Sequence, residues 1–362
     1  MENGKGSGMN RIWRLFLILG PALAAHAQLD PCRFNFGAGW SGLTANYAQQ
    51  TSFVTIWAGS DEAWNQYWIG DMLKACKPGG KLAGKTPVFY SYIIAFTARR
   101  DLQLKDCDVG TPSLCQQGAN FIRQKKARIL SQYEKYASET AKAWGTQDRI
   151  LWMMEPDYYQ YASGSQQEGG PLSFQEAGAF MGELVATVRK HLPNAIFSMD
   201  ISPWIPNAAS WFGAFKMSDF AYMNTSGGRT DADDSRIRRE NPMTWKSIRE
   251  LTGKSIIADD GYGVGGASTG HDDTWDRASN LNARIDDGVF AIAQATPKGD
   301  WNNAITSVRG QLKAIPGCQT GLRPSVSRNP QLRILPAAVG LDILGRSLQE
   351  PVDFPGVFFP LP

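Results

Sequence analysis

Histidine is scarce in this chain: His26, His191 and His271 are the three in 362 residues. A catalytic zinc centre takes three protein ligands, commonly with several histidines, so the scarcity argues against a zinc hydrolase. A Ser–His–Asp hydrolase would need His271 and a G-x-S-x-G elbow, and the elbow does not occur. The five cysteines, Cys32, Cys76, Cys107, Cys115 and Cys318, show no C-x-x-C spacing, which argues against zinc held by thiolates. Asp231-Ala-Asp-Asp234 has a calcium flavour but lacks the glycine of a calcium loop, and Arg236, Arg238 and Arg239 follow it. No metal and no cofactor is expected. Beyond residue 27 no stretch approaches eighteen unbroken apolar residues, so no membrane span is expected either. No self-similarity at 20–50 residues marks a solenoid.

The N-terminus reads as an export signal, residues 1–27. Arg11 and Arg14 precede the apolar run Leu15–Leu23, and Ala25-His26-Ala27 fits small-x-small cleavage. Three basic residues and one acidic residue leave with it, taking Lys plus Arg from 37 to 34 and Asp plus Glu from 34 to 33. A mature chain so close to neutral has no basic stripe for nucleic acid and suits an uncharged glycan better. The expected location is secreted, at the cell surface or in the periplasm, where disulfides form. Cys107 and Cys115 bracket a short loop and are the first pair expected. An odd count leaves one thiol free or bonded between molecules.

From residue 28 to 318 strand-like and helix-like patterns alternate. Strands are expected at Arg33–Gly39, Phe53–Ala58, Pro87–Ala95, Ile150–Met154, Ala195–Met199, Phe220–Met223, Ser255–Ala258 and Val289–Ala295. Amphipathic helices are expected at Glu62–Ala75, Asn120–Trp144, Met243–Leu251 after an Asn241-Pro242 start, Trp275–Asp286 and Trp301–Ile315. Ser173-Phe-Gln-Glu176 is a capping box opening another, whose buried face is Phe174, Ala177, Met181, Leu184 and Val188. Eight such units over about 290 residues predict an α/β fold, a (β/α)8 TIM barrel with a short C-terminal tail. An open doubly wound sheet is the alternative, but it gives no reason to stop at eight.

In such a barrel the active site lies at the C-terminal ends of the strands. The strand endings collect carboxyl groups: Glu155 and Asp157 after the fourth, Asp200 after the fifth, Asp259 and Asp260 after the seventh. Asn224 ends the sixth. Trp40, Trp57, Tyr158, Tyr159, Tyr161 and Trp204 fall at the same end, where aromatic rings can stack on sugars. Crowded carboxylates raise at least one pKa, and a raised pKa suits a general acid. Duller readings stand beside these. Glu155 could pair with an arginine, Asp157 could cap a loop, and Asp200 could fix the segment before Trp204. Asp259 and Asp260 diverge on a strand, and Asp260 is preferred for the cleft. Trp144, Trp245, Trp275 and Trp301 lie in helices and read as core. Gly261-Tyr-Gly-Val-Gly-Gly266 reads as a flap over the mouth, with His271 just beyond it.

A glutamate ending the fourth strand in Met154-Glu155-Pro156, with an acidic residue ending the seventh, resembles the clan of retaining (β/α)8 endoglucanases and mannanases. The resemblance implies that Glu155 is the acid/base. The chain departs from that pattern in Met154, where the clan has Asn, and in Asp259-Asp260, where it has Glu. Aspartate is one methylene shorter, and a wider gap suits inversion: roughly 6.5–9.5 Å between carboxyl groups, against about 5–5.5 Å for retention. The expectation is therefore a monomeric, secreted glycoside hydrolase on a neutral polysaccharide or oligosaccharide, a β-glucan or related plant-wall glycan. Endo action is expected, with Glu155 as acid and Asp260 or Asp200 as base. Asp157, Trp40, Trp57, Tyr158, Tyr159, Trp204, Asn224, Asp259 and His271 are expected to bind substrate. A non-catalytic glycan-binding barrel and an envelope transglycosylase are the competitors. Residues 319–331 read as a linker. In the tail, 332–362, Gly340-Leu-Asp-Ile-Leu-Gly-Arg-Ser347 and Pro355-Gly-Val-Phe-Phe359 resemble the end of a type IX secretion sorting domain.

Overall fold

The computed structural model describes residues 29–43, 45–107, 110–225, 231–238, 241–259, 273–294 and 301–318. The expected signal, linker and tail lie outside these residues. Eight parallel strands form a closed barrel, each pairing with the next and β1 with β8. They are β1 (Asn35–Gly39), β2 (Phe53–Ala58), β3 (Thr86–Ser91), β4 (Leu151–Met154), β5 (Ile196–Asp200), β6 (Tyr222–Asn224), β7 (Ser255–Asp259) and β8 (Val289–Gln294). Closure excludes the open-sheet alternative. The strands read as near-continuous apolar runs because both of their faces are buried.

Alternation along each strand sorts side chains to two sides. Phe53, Val88, Tyr90, Leu151, Met153, Tyr222 and Ile257 form one cluster, the filling of the barrel lumen. Val54, Ile56, Phe89, Trp152, Phe197, Met223 and Ile256 belong to the other, packed against the helices. Gly37 on β1 leaves room for the Phe53 ring, which a side chain there would strike.

The helices are α1 (Ala45–Gln50), α2 (Asp71–Cys76), α3 (Ile93–Leu102), α4 (Leu114–Trp144), α5 (Tyr158–Ser163), α6 (Phe174–His191), α7 (Ala208–Gly213), α8 (Trp245–Thr252), α9 (Ala278–Asp286) and α10 (Trp301–Arg309). The capping box opens α6 as expected: Ser173 N–H donates to Glu176 Oε2 at 2.7 Å, and Glu176 N–H to Ser173 Oγ at 3.2 Å. Elsewhere the expected boundaries shift. The third strand stops at Ser91, and Ile93 opens α3, whose first six residues are all buried. An unbroken apolar run does not distinguish strand from buried helix. Of the expected Glu62–Ala75 helix only the part from Asp71 is α-helical, running on to Cys76 after a π-helical turn at Gln66–Gly70. Helix α8 is capped by Thr244 rather than Asn241, with Ser247 N–H donating to Thr244 Oγ1 at 3.0 Å. Asn241 instead turns the chain ahead of it, accepting from Met243 N–H at 3.0 Å.

Cys107 and Cys115 are paired as expected. Cys32, ahead of β1, is joined to Cys318, beyond α10, across 286 residues. Cys76 is free and buried, and burial pushes its thiol up to about 12, out of the reactive range. Among the described residues no helix is long and apolar enough to cross a membrane. Cross-linking so long a loop restricts the unfolded chain by roughly 5 kcal/mol in the chain-entropy treatment. A Cys32→Ser/Cys318→Ser variant is expected to unfold well below the parent in a thermal melt. Replacing Cys107 and Cys115, which close a short loop, should lower the midpoint less.

Candidate active site

Three polar side chains end lumen-facing rows. On β5, Ile196, Ser198 and Asp200 share one face; on β6, Tyr222 and Asn224; on β7, Ile257 and Asp259. The register sets Asp200 beside Asn224, and Asn224 beside Ile257, one lumen position below Asp259. Ser198 Oγ–H donates to Asn224 Oδ1 at 2.7 Å, which confirms that the β5 and β6 rows meet. Asp259 faces the Tyr90 hydroxyl of β3, which donates to its Oδ2. That bond sets the Asp259 carboxyl toward the lumen. Asp260 and His271 lie outside the described residues.

Asp200 is 4% exposed, and its Oδ1 is buried without a hydrogen-bond partner among the described residues. Its Oδ2 accepts the backbone N–H of Asp157 at 3.1 Å. Burial pushes the Asp200 carboxyl well above the usual range, and the nearby Asp157 carboxylate pushes it further. The Asp157 N–H bond and the Arg238 guanidinium pull it partly back. The result is a carboxyl that ionises less readily than an ordinary one, beside a lumen where a second carboxyl, Asp259, accepts a hydrogen bond.

Glu155 departs from the expected mouth position. It is 0% exposed, and its partners come from the helical layer. Tyr133 of α4 donates to Oε1, Ile94 N–H in the first turn of α3 donates to Oε1 at 3.0 Å, and Tyr161 of α5 donates to Oε2 at 2.6 Å. Alternation along β4 would have aimed residue 155 into the lumen, but its backbone sits at φ 42° and turns the side chain aside. A proton donor must come within hydrogen-bond reach of its acceptor, and here both carboxylate oxygens are already engaged. Burial pushes the Glu155 carboxyl up to about 7, while the tyrosine hydroxyls and backbone amides oppose the rise.

The aromatic residues divide differently from expectation. Tyr158 is buried, with its hydroxyl donating to Ala177 O at 3.0 Å, and Tyr159 packs edge-on against Trp211. Trp40 is buried in the layer between strands and helices. These three hold α5, α6 and α7 or the barrel wall and are not free to stack on a sugar. Trp57 remains at the lumen end of β2, partly exposed and stacked on Tyr90 at 4.9 Å. Trp204 is 38% exposed, with the Arg238 guanidinium 5.2 Å from its ring centre. Trp144, Trp245 and Trp275 are core, as expected. Tyr90 and Arg238 were not singled out in the sequence. Tyr90 could have been found by counting two residues along β3 from Val88; nothing in the sequence marks Arg238 among its neighbours. Among the described residues no three His, Cys, Asp or Glu side chains cluster closely enough to hold a metal.

No protein-family model matches this sequence, and no curated protein is detectably similar to it. Its fold is similar to that of a Cellulomonas fimi endo-β-1,4-mannanase double mutant, with a TM-score of 0.51 and 11% identity over 76% of this chain and 70% of that one. It is also similar to GH26C from a Muricauda species, with a TM-score of 0.50 and 10% identity over 80% of this chain and 89% of that one. At such identities the likeness is one of fold.

Glu155 generates a stability test. Unfolded, it ionises near its ordinary value of 4.5; folded, near 7. Between these values the native state keeps a proton that the unfolded chain has released. Its contribution is therefore full below pH 4.5 and falls as pH rises to about 7. The difference amounts to about 3 kcal/mol. Urea unfolding at pH 5 and pH 8 should show that Glu155→Gln, uncharged throughout, loses less stability over this interval than the parent does.

Proposed function

We propose that this chain is a glycoside hydrolase of neutral polysaccharides whose reacting carboxyl groups are Asp200 and Asp259. The observation carrying the reading is the pair of lumen-facing aspartates ending β5 and β7, one with a buried oxygen that has no hydrogen-bond partner among the described residues. In this reading Asp200 gives its proton to the glycosidic oxygen as the bond to the anomeric carbon breaks. Asp259 takes a proton from the attacking water, which adds to the opposite face of that carbon. Tyr90 orients Asp259 and stabilises its charge. Asn224, between them, is placed to bond a sugar hydroxyl, and Trp57 and Trp204 offer the stacking faces. Glu155, the acid implied by resemblance, is replaced in that role by Asp200.

The two aspartates end strands separated by β6, two strand spacings of about 4.8 Å each, and a wide separation of carboxyl groups favours inversion. The mannanase named among the fold neighbours makes β-1,4-mannan the first substrate to try, alongside β-glucans. Two disulfides suit an exported protein.

The test is a polysaccharide panel with product sizing, followed by proton NMR of freshly released sugar. Short oligosaccharides of inverted anomeric configuration are expected. Asp200→Asn and Asp259→Asn should each lower kcat by roughly 10²–10⁴-fold while retaining glycan binding. Binding without release from any member of the panel would leave a glycan-binding barrel in its place, and longer products from oligosaccharide donors would mark a transglycosylase.

A further inference from the structure

The backbone after β4 is unusual. Glu155 and Asp157, on either side of Pro156, lie at φ 42° and 62°, and among the described residues Gln103 is the one other non-glycine residue at positive φ. Side chains other than glycine's adopt this region at a cost in free energy, and such corners persist where the surroundings over-determine them. Pro156 adds its own restriction, because a proline disfavours the right-handed helical region for the residue before it.

We infer that Glu155 is a positioning residue: its clasped carboxylate holds the left-handed corner that sets Asp157 against Asp200. Three elements converge on that carboxylate. Ile94 comes from α3, Tyr133 from α4 and Tyr161 from α5. Tyr133 is itself fixed by Ser91, whose hydroxyl donates to it at 3.1 Å. Tyr161 is fixed by close approach of α4, since a side chain at Gly118 would strike its carbonyl group. Glu155 N–H continues the ladder to Ser91 O at 2.9 Å, so the main chain at this point is held as well as the side chain.

On the far side of Pro156 the corner delivers two things. The Asp157 N–H reaches Asp200 Oδ2, and the Asp157 carboxylate, held by Gln160 Nε2 at 3.0 Å, lies near enough to raise the Asp200 pKa. The charged groups that face Asp200 are thus Asp157, from the corner, and Arg238, from the segment before α8. Of these, Asp157 depends on the corner. Glu155 touches no reacting atom in this account; it acts through Asp157. The inference rests on the hydrolase reading for the meaning of Asp200 as proton donor.

The experiment compares Glu155→Gln, Glu155→Leu and Tyr161→Phe. kcat and KM are followed against pH on the best substrate of the panel, and the Asp157 amide is followed against pH in protein labelled with ¹⁵N-aspartate. Glu155→Gln keeps an acceptor for Tyr133 and Ile94 and should retain kcat within about threefold. Glu155→Leu should lose 10–100-fold in kcat with little change in KM. Its basic limb should move to lower pH, because Asp157's charge is the larger of the two corner effects on Asp200. In the parent and the Gln variant the Asp157 amide shift should follow Asp200 ionisation; in the Leu variant it should not. Should the Leu variant fail to fold, Tyr161→Phe removes one donor and should show the same shifts in smaller degree.

A thousand-fold loss of kcat in well-folded Glu155→Gln would identify Glu155 as the proton donor and overturn the inference. So would an Asp157 amide that titrates normally in Glu155→Leu, or an unchanged profile in Tyr161→Phe when the Leu variant is lost. Failure of the parent to release sugar removes the hydrolase reading alone, since the amide titration still decides whether Glu155 sets Asp157.

Discussion

Everything in this molecule depends on the closing ladder between β1 and β8, where Asn35 to Ala38 pair with Ala291 to Gln294. A parallel sheet left open would expose two edges and one set of apolar side chains. Closed, it has no edge, and each strand residue is assigned either to the lumen or to the helical layer. Because side chains alternate with a period of two, a register slip of one residue would exchange these assignments along a whole strand. Asp200, Asn224 and Asp259 would then face helices. The chemistry of the site is therefore set by pairing several residues deeper in the barrel than the carboxyl groups themselves.

Much of this fold was legible because it is written in periodicity. The second strand, Phe53–Ala58, is apolar on both faces and bounded by Ser52 and Gly59, and its limits agree with the structure. The capping box at Ser173 marks α6 because its two hydrogen bonds are local and need no tertiary partner. What could not be read was decided at longer range. Tyr92 to Phe96 continues the apolar run of β3, and only packing against the barrel tells that it has become helix. The short helices α5 and α7 have too few turns to show a period. Each is stabilised through an aromatic cluster around Trp211 and Phe215 that joins distant segments.

The site shows the same division. That the strands end in carboxyl groups is plain from the sequence, and so is the rim on which they lie. Which way each carboxyl points is not. Glu155 and Asp157 are two residues apart in an extended-looking run and should share a face. Two left-handed residues around one proline break that alternation, leaving Glu155 among the helices and Asp157 beside Asp200. Conversely, Asp259 declares its direction only through Tyr90, four strands away around the ring. Barrels of this architecture host many chemistries, and fold neighbours at about one identity in ten share its period rather than its side chains.

The bond between Cys32 and Cys318 brings the two ends of the barrel's chain together outside β1 and α10. Proteases nick a folded domain first in its exposed loops. In a linear chain one such cut yields two pieces, which part once the barrel opens. Here the pieces stay tethered at their outer ends, and either can find the other again at an effective concentration no dilution can lower. The covalent ring thus turns a nick in a rim loop from a fragmentation into a change of where the chain begins.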